Sequence, residues 1–93
     1  MDLSFKDNLS RSIKLRWDRI KHIGEHMQLS NKIHIIENVL KYPDIISKDD
    51  EREGIVYYQK YLKDEDTYFI IVIKLFNEEG LIITIYKSRK PRL

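Results

Sequence analysis

Residues 67–88, TYFIIVIKLFNEEGLIITIYKS, decide the fold that this sequence predicts. Both halves are rich in Val, Ile, Tyr, Phe and Thr, and such branched and aromatic side chains suit a half-buried pleated surface better than a helix. The intervening Asn77–Gly80 is typical of a type I turn followed by a glycine in the left-handed conformation. The stretch therefore predicts two long strands joined in a hairpin.

A three-residue loop in that turn would pair Lys74 with Thr84, and this register sorts the hairpin into two faces because side chains alternate along a strand. The first face is purely apolar and needs a cover of helices: Phe69, Ile71, Ile73, Leu75, Leu81, Ile83 and Ile85. The second face is mixed: Tyr68, Ile70, Val72, Lys74, Phe76, Ile82, Thr84, Tyr86 and Ser88. We expect any site to have its floor on the second face, and an ordinary solvated sheet face is the alternative.

Composition indicates one small globular domain over residues 1–93. A hydrophobic content of 42% and a charged content of 34% are too balanced for a disordered chain, and 93 residues suffice for one core. The absence of cysteine excludes disulfides, zinc–thiolate sites and thiol nucleophiles. No apolar run is long enough to cross a bilayer, and the first residues lack the order of a signal peptide. We therefore expect a cytoplasmic protein with no membrane partner.

Three helices are predicted before the sheet, over about residues 4–42. Residues 4–17 carry apolar side chains at the four-residue spacing of a helix stripe: Phe5, Leu9, Ile13 and Trp17. Asp18 and Ser30 are the expected N-caps of two further helices, which cover residues 19–27 and 31–42.

The predicted sheet follows over about residues 45–88, with a short edge strand near residues 44–47 and a further strand over residues 55–62. The sequence does not settle which face of the 55–62 strand joins the site. Helices followed by a meander of strands predict an α+β domain with N-terminal helices packed on one face of a three- to four-stranded antiparallel sheet and the other face open. Residues 89–93 form a basic tail. Its cations would attract phosphates, and a frayed, solvated tail is the alternative.

Known catalytic motifs are mostly excluded. His22–His26 matches the His-x-x-Glu-His zinc pattern, but Gly24 weakens the helix and no third ligand is evident, so we predict no metal. Three isolated glycines cannot build a P-loop or a dinucleotide turn, and no cofactor is predicted. Metal-free RNA cleavage needs only a proton acceptor for the 2′-hydroxyl, a proton donor for the leaving oxygen, and cations. Histidine, lysine, arginine, threonine and tyrosine supply these groups.

Three segments resemble a known group of proteins. Trp17 with the later Glu25–Leu29 is similar to a Trp followed by a helix that ends in an Arg-His-Pro-Glu-Leu-like element. Asn38–Ile46 is similar to a helix that runs into Pro-Asp and Ile, and residues 70–74 and 82–86 are similar to a Val-rich strand and a Val-Ile-Thr-Ala-Tyr strand. In this order, the segments resemble the phage-associated barnase/EndoU/colicin/RelE-like (BECR-fold) nuclease family.

The resemblance implies a set of site residues. Met27 and Gln28 replace the Pro-Glu of the family, Ile85 replaces its Ala, and His22 stands one position from the usual second histidine, so His26 carries over better. The implied catalytic residues are His26 for proton transfer, Lys74 as the transition-state cation, and Thr84 and Tyr86 as phosphate or base contacts. The implied substrate-binding residues are Trp17, His22, Lys87, Arg89 and Arg92.

The leading hypothesis is therefore a metal-independent endoribonuclease, toxin-like or phage-derived, that cleaves RNA such as tRNA or mRNA on the open sheet face. An antitoxin or inhibitor protein is the expected protein partner. The competing hypothesis is a catalytically inactive RNA-binding or protein-interaction module of the same fold.

Overall fold

The computed structural model describes residues 2–25 and 27–93, and these form a single mixed sheet with helices on one side. The elements are β1 (Leu3–Lys6), β2 (Ser12–Leu15), α1 (Trp17–Gly24), a 3₁₀ helix (Leu29–Asn31), α2 (Ile33–Lys41), β3 (Ile45–Lys48), β4 (Ile55–Leu62), β5 (Thr67–Phe76) and β6 (Glu79–Ser88). The strand order is β1-β2-β6-β5-β4-β3, and β2 runs parallel to β6 while the other pairs are antiparallel. The domain is α+β, but the predicted three- to four-stranded antiparallel sheet with N-terminal helices is wrong. Within the described residues the sheet is six-stranded and mixed, and it begins before the first helix.

The predicted helix over residues 4–17 is wrong because this segment forms the hairpin β1–β2. Two of its four stripe positions, Leu9 and Trp17, are 66% and 59% exposed. The buried residues Phe5, Ile13 and Leu15 instead follow the two-residue period of strands with one buried face. The four-residue spacing that suggested a helix joins two separate strands across a turn.

Asp7 closes this turn and ties it to the sheet. Its Oδ1 accepts the amides of Leu9 and Arg11 at 3.0 and 2.8 Å, and its Oδ2 accepts Arg11 Nε and the Tyr58 hydroxyl at 2.7 and 2.6 Å. Arg11 Nη2 also donates to the Tyr58 oxygen at 2.7 Å. Burial by itself raises the pKa of Asp7, but the hydrogen bonds from Tyr58 and Arg11 outweigh it and hold that pKa below the ordinary value. The carboxylate is thus buried in its charged form with its partners in place.

Both α-helices pack on one side of the sheet, which we call the helix-covered face. α2 buries Ile36, Val39 and Leu40 there, as its predicted stripe requires. α1 buries Ile23 and packs against β6. The expected N-caps are wrong: α1 begins at Trp17, before Asp18, and the N-cap of α2 is Lys32. No helix within the described ranges is long and apolar enough to cross a membrane.

The central hairpin forms as predicted, but its turn does not. Phe76 pairs with Glu79, so the loop is only Asn77 and Glu78, and Asn77 adopts a φ of 51° that asparagine tolerates better than most residues. The predicted partner of Lys74 is wrong because Lys74 pairs with Leu81. The hairpin is therefore tighter than the expected loop with a left-handed glycine.

A β-bulge in β6 restores the predicted faces for the residues that follow it. Ile73 pairs with Ile82 and Val72 pairs with Thr84, which leaves Ile83 between them without a ladder partner. Ile82 consequently lies in the helix-covered core, and Ile83 packs on the other face, so these two assignments were wrong. Leu81 also changes face, since it pairs with Lys74. The predicted burial of Ile73 and Ile85 under the helices is confirmed.

Gly80 is explained by packing against a strand that the sequence had not predicted. A Cβ at this position would come within 2.8 Å of Ile13 Cδ1 and 2.9 Å of Ile73 Cγ2. A side chain at position 80 would therefore overlap the side chains of these two isoleucines, which fill the space over Gly80.

Candidate functional site

Three of the four predicted catalytic residues lie on the sheet face opposite the helices, which we call the opposite face. Thr84 and Tyr86 pair with Val72 and Ile70, and Lys74 follows Val72 at the next same-face position of β5. Directly paired residues of neighbouring strands share a face. Lys74, Thr84 and Tyr86 therefore line one surface. The fourth, His26, lies outside the described residues.

Trp17 and His22 do not join that surface. Both belong to α1, which packs on the helix-covered face through Ile23.

Lys87 also lies away from the predicted floor. It pairs with Phe69, which is fully buried in the helix-covered core. Its Nζ forms an ion pair with Glu65, and the hydrogen bond from Lys87 is the main cause that lowers the pKa of the Glu65 carboxyl. Lys87 therefore stabilises the junction between β6 and the β4–β5 turn on that side of the sheet.

Sequence reasoning missed a basic contribution from β2. Lys14 pairs with Leu81, and Leu81 pairs with Lys74, so two lysines flank one leucine in a single row across the sheet. This row was not predicted because residues 4–17 were assigned to a helix. The alternation of Lys14 and Arg16 with Ile13 and Leu15 was the signal that could have found it.

A shallow groove of ≈ 450 Å³ lies beside this row. We call it the Phe76 groove, and it is lined by Asp2, Lys14, Arg16, Phe76, Glu79, Gly80 and Leu81. Phe76 is 49% exposed, an unusual position for a large aromatic ring. Two carboxylates, Asp2 and Glu79, balance the two cations of the lining, and Asp2 Oδ1 accepts the Trp17 amide at 3.1 Å. Recognition in the groove would therefore depend on stacking as well as on charge.

Lys74 does not line this groove, and its ammonium is held by the loop between β3 and β4. Its Nζ donates to the carbonyl oxygen of Glu53 at 2.6 Å. The neighbouring Gly54 has a φ of +80°, and a Cβ there would lie 2.9 Å from Lys74 Nζ. The ammonium therefore lies toward β4, on the other side of β5 from Leu81 and the groove.

The tail, residues 89–93, folds across the other half of the opposite face, so the expectation of an open face is wrong there. The Arg92 amide donates to Gln59 Oε1 at 2.7 Å, and Gln59 Nε2 donates back to the Arg92 carbonyl at 2.6 Å. Ser47 Oγ donates to the same carbonyl at 2.6 Å. The side-chain amide of Gln59 thereby binds the backbone of Arg92 as a neighbouring strand would.

The Arg92 side chain is held as specifically as its backbone. The guanidinium lies 4.6 Å from the centre of the Tyr57 ring, and Nη2 lies 3.7 Å from Asp49 Oδ2. The Tyr57 hydroxyl donates to Asp49, and Arg52 Nη2 donates to both, at 3.1 Å to Tyr57 and 3.2 Å to Asp49. These hydrogen bonds, that of Tyr57 first, hold the pKa of Asp49 well below its usual range. Tyr86 contributes most to raising the pKa of Arg92.

A second apolar cluster lies below and beside the tail. It contains Ile55, Tyr57, Ile70 and Val72, all buried, with Tyr68, Ile83 and Tyr86 packed against them. Tyr57 is thus the residue of β4 that faces the site region, while Tyr58 lies in the helix-covered core. Arg89 and Lys90 are exposed on the tail, whereas Arg92 is committed to the contacts just described.

Comparison with known proteins adds no assignment, since no family model, curated protein or solved structure matches the chain. The resemblance to BECR-fold nucleases therefore stays a prediction that rests on the quoted segments alone. Within residues 2–25 and 27–93, no group of three or more His, Cys, Asp or Glu side chains is placed to hold a metal ion.

Proposed function

We propose that this protein binds single-stranded RNA along the Phe76 groove and the lysine row beside it. The observation that carries the proposal is the row in which Lys14 and Lys74 flank Leu81, next to the exposed ring of Phe76. Two strand spacings place the backbones of the two lysines about 10 Å apart. Two lysines at that spacing suit phosphates of one extended strand, because a phosphate backbone attracts lysine without regard to sequence. Lys74 would exchange its hydrogen bond to the Glu53 carbonyl for a phosphate.

Phe76 supplies an aromatic surface on which a base can stack. Its ring is 49% exposed at the end of β5 and lines the same groove as Lys14 and Arg16. Aromatic side chains beside a basic track are the usual platform for unstacked bases, and each stacked base contributes about 1–3 kcal/mol. A single-stranded nucleic acid fits this combination better than a duplex, whose bases are already stacked.

The tail extends the positive surface. Arg89 and Lys90 are exposed directly after β6, on the segment that crosses the same face. Docking of Arg92 on Gln59 fixes their position, so they add charge without the full cost of ordering a flexible segment.

RNA cleavage is kept as a hypothesis separate from binding. General acid–base catalysis requires a proton-transfer group within reach of the reacting oxygens. His22 and His34, the two histidines within the described ranges, belong to helices on the helix-covered face. RNA cleavage by His26 and Lys74 stays a prediction, since His26 lies outside the described residues.

Fluorescence anisotropy of a labelled single-stranded RNA, titrated in EDTA at several salt concentrations, tests the binding proposal. Lys14→Gln should weaken binding and flatten the slope of log affinity against log salt by about 0.7 for one lost phosphate contact. Phe76→Ala should weaken binding by roughly 5- to 150-fold, which is the loss of one stacked base. Lys21→Gln removes an equal charge from an exposed position of α1, on the helix-covered side, and should change nothing.

Two outcomes would remove the proposal: no saturable binding, or equal effects of Lys14→Gln and Lys21→Gln. The same RNA, separated on a gel after incubation in EDTA, tests cleavage directly. Defined products would favour the endoribonuclease hypothesis, and intact RNA with saturable binding would favour the inactive module.

A further inference from the structure

We propose that Ser47, Asp49, Tyr57 and Gln59 form a binding site for an extended, arginine-containing peptide, and that the tail is its exchangeable occupant. The proposal rests on four kinds of contact to one residue: two backbone hydrogen bonds to Gln59, one to Ser47, a ring contact to Tyr57 and an ion pair with Asp49. Neither RNA binding nor cleavage requires such a site.

Gln59 is the centre of the site. Its side chain is fully buried within β4, and a buried amide is costly unless both of its polar ends are hydrogen-bonded. Its oxygen accepts an N–H and its nitrogen donates to a C=O of the same residue, Arg92. These two hydrogen bonds can form with any peptide backbone in extended geometry. Proteins bind an added strand through backbone hydrogen bonds in the same way.

The side-chain contacts select arginine. A planar guanidinium can stack on the Tyr57 ring while it points a nitrogen at Asp49, whereas a lysine ammonium offers only a point charge. Arg52 already donates to Asp49 and Tyr57, so it fixes both groups before any peptide arrives. The site is therefore built in advance around a second guanidinium.

The occupant is held at one point. Arg92 makes the hydrogen bonds to the sheet that we describe, Pro91 is only partly buried, and Arg89, Lys90 and Leu93 are exposed. Segments with few buried contacts open at low free-energy cost. Since the tail is attached directly to β6, its local concentration at the site is in the millimolar range, and a free peptide must compete with it.

Arg92→Ala in the full chain weakens this occupant without shortening the protein. A labelled peptide of residues 88–93, SRKPRL, should bind the Arg92→Ala protein at least tenfold more tightly than it binds the wild type, as measured by fluorescence anisotropy. Arg89→Ala is the matched control, because it removes the same charge from the tail but no contact with the site, and it should behave as the wild type.

Peptide variants test specificity without any risk to the fold. With the Arg92→Ala protein, a peptide that carries lysine at the position of Arg92 should bind several-fold more weakly, and one that carries alanine there should not bind detectably. Equal binding of the three peptides would show adhesion of a basic segment and would overturn the proposal. Equal peptide affinities of wild-type and Arg92→Ala proteins, both folded by circular dichroism, would overturn it as well.

The wild-type protein gives an independent measurement. The Arg92 amide should exchange its hydrogen slowly relative to an unfolded chain, because it donates to a buried acceptor. Exchange at the unprotected rate would contradict the site even if the peptide bound elsewhere. None of these measurements contains RNA, so failure here is distinguishable from failure of the proposed RNA binding.

Discussion

Removal of one hydroxyl should reveal how much the buried network of Asp7, Arg11 and Tyr58 stabilises the fold. Tyr58→Phe deletes the donor to Asp7 Oδ2 at 2.6 Å and the acceptor of Arg11 Nη2 at 2.7 Å. Hydrogen bonds to charged groups contribute about 1.5–3 kcal/mol each, and Asp7 keeps its bonds from Arg11 and the Leu9 amide. Arg11 is partly exposed, so water can replace the bond that it loses. We therefore expect the free energy of unfolding to fall by about 2 kcal/mol at neutral pH, the cost of the one buried bond to Asp7.

The same substitution should change the pH dependence of stability. The pKa of Asp7 is lowered in the folded protein, so its contribution is present above the ordinary value of 3.8 and is lost as the pH falls through the lower folded pKa. Tyr58→Phe removes one of the hydrogen bonds that lower this pKa, while burial continues to raise it. The loss of stability in acid should therefore be smaller in the variant and should be complete at a higher pH.

Urea unfolding followed by circular dichroism between pH 3 and pH 7 measures both effects, provided the m-value is unchanged. Tyr61→Phe is the control, since it removes a hydroxyl from the same strand that bonds to the exposed Asp66. Its effect should stay within about 0.5 kcal/mol, as for other surface substitutions. If Tyr58→Phe destabilises the protein no more than Tyr61→Phe does, the network contributes nothing and the reasoning fails.

Three further predictions follow from single features of the structure. Gly80→Ala should destabilise the domain by about 1–3 kcal/mol in the same urea assay, because a Cβ would come within 2.9 Å of two buried isoleucines, whereas Gly24→Ala meets no atom within 4 Å and should be neutral or stabilising. Deletion of Arg89–Leu93, which leaves Lys87 paired in β6, should weaken RNA binding and flatten its salt slope by up to about 0.7 for each lost contact; an unchanged slope would assign the tail to structure alone. Lys74→Ala should lower the rate of RNA cleavage in EDTA more than it lowers affinity, because a transition-state cation acts on turnover; a pure affinity loss would make Lys74 a binding residue.

The elements that sequence predicts well here are the long ones whose period is repeated several times. β4, β5 and β6 were expected from dense branched and aromatic runs, and α2 was expected from four apolar positions on one stripe. The hairpin β1–β2 was not predicted, because Phe5 and Ile13 satisfy a helical spacing by coincidence. Asn8 and Ser10 in the intervening turn, where Ser10 takes a φ of 62°, were the overlooked signals.

The misassignment of Gly80 and the missed strand have one cause. Gly80 was assigned to a left-handed turn position, yet its small size is required by Ile13 of β2. A neighbour that sequence reading had placed in a helix could not explain a glycine in β6. The absence of Lys14 from the predicted site follows from this, since Lys14 pairs with Leu81 only when β2 is a strand. The register of Lys74 is set separately, by the two-residue loop at Asn77 and Glu78.

The tail could not be predicted for a different reason. Gln59 and Arg92 are thirty-three positions apart, and no local sequence pattern indicates that they contact each other. Gln59 is nevertheless a polar residue at a buried position of β4, where an apolar one is expected. Such a residue needs a hydrogen-bond partner or serves a function. In this fold the partner is a peptide backbone.

The opposite face is thus divided in two: β5, β6 and β2 hold a groove that is open to a ligand, while β4 and β3 hold a site already filled by the chain itself. Ligands that act through Lys14 and Phe76 and ligands that act through Gln59 should therefore be separable by mutation, although both contact the same sheet.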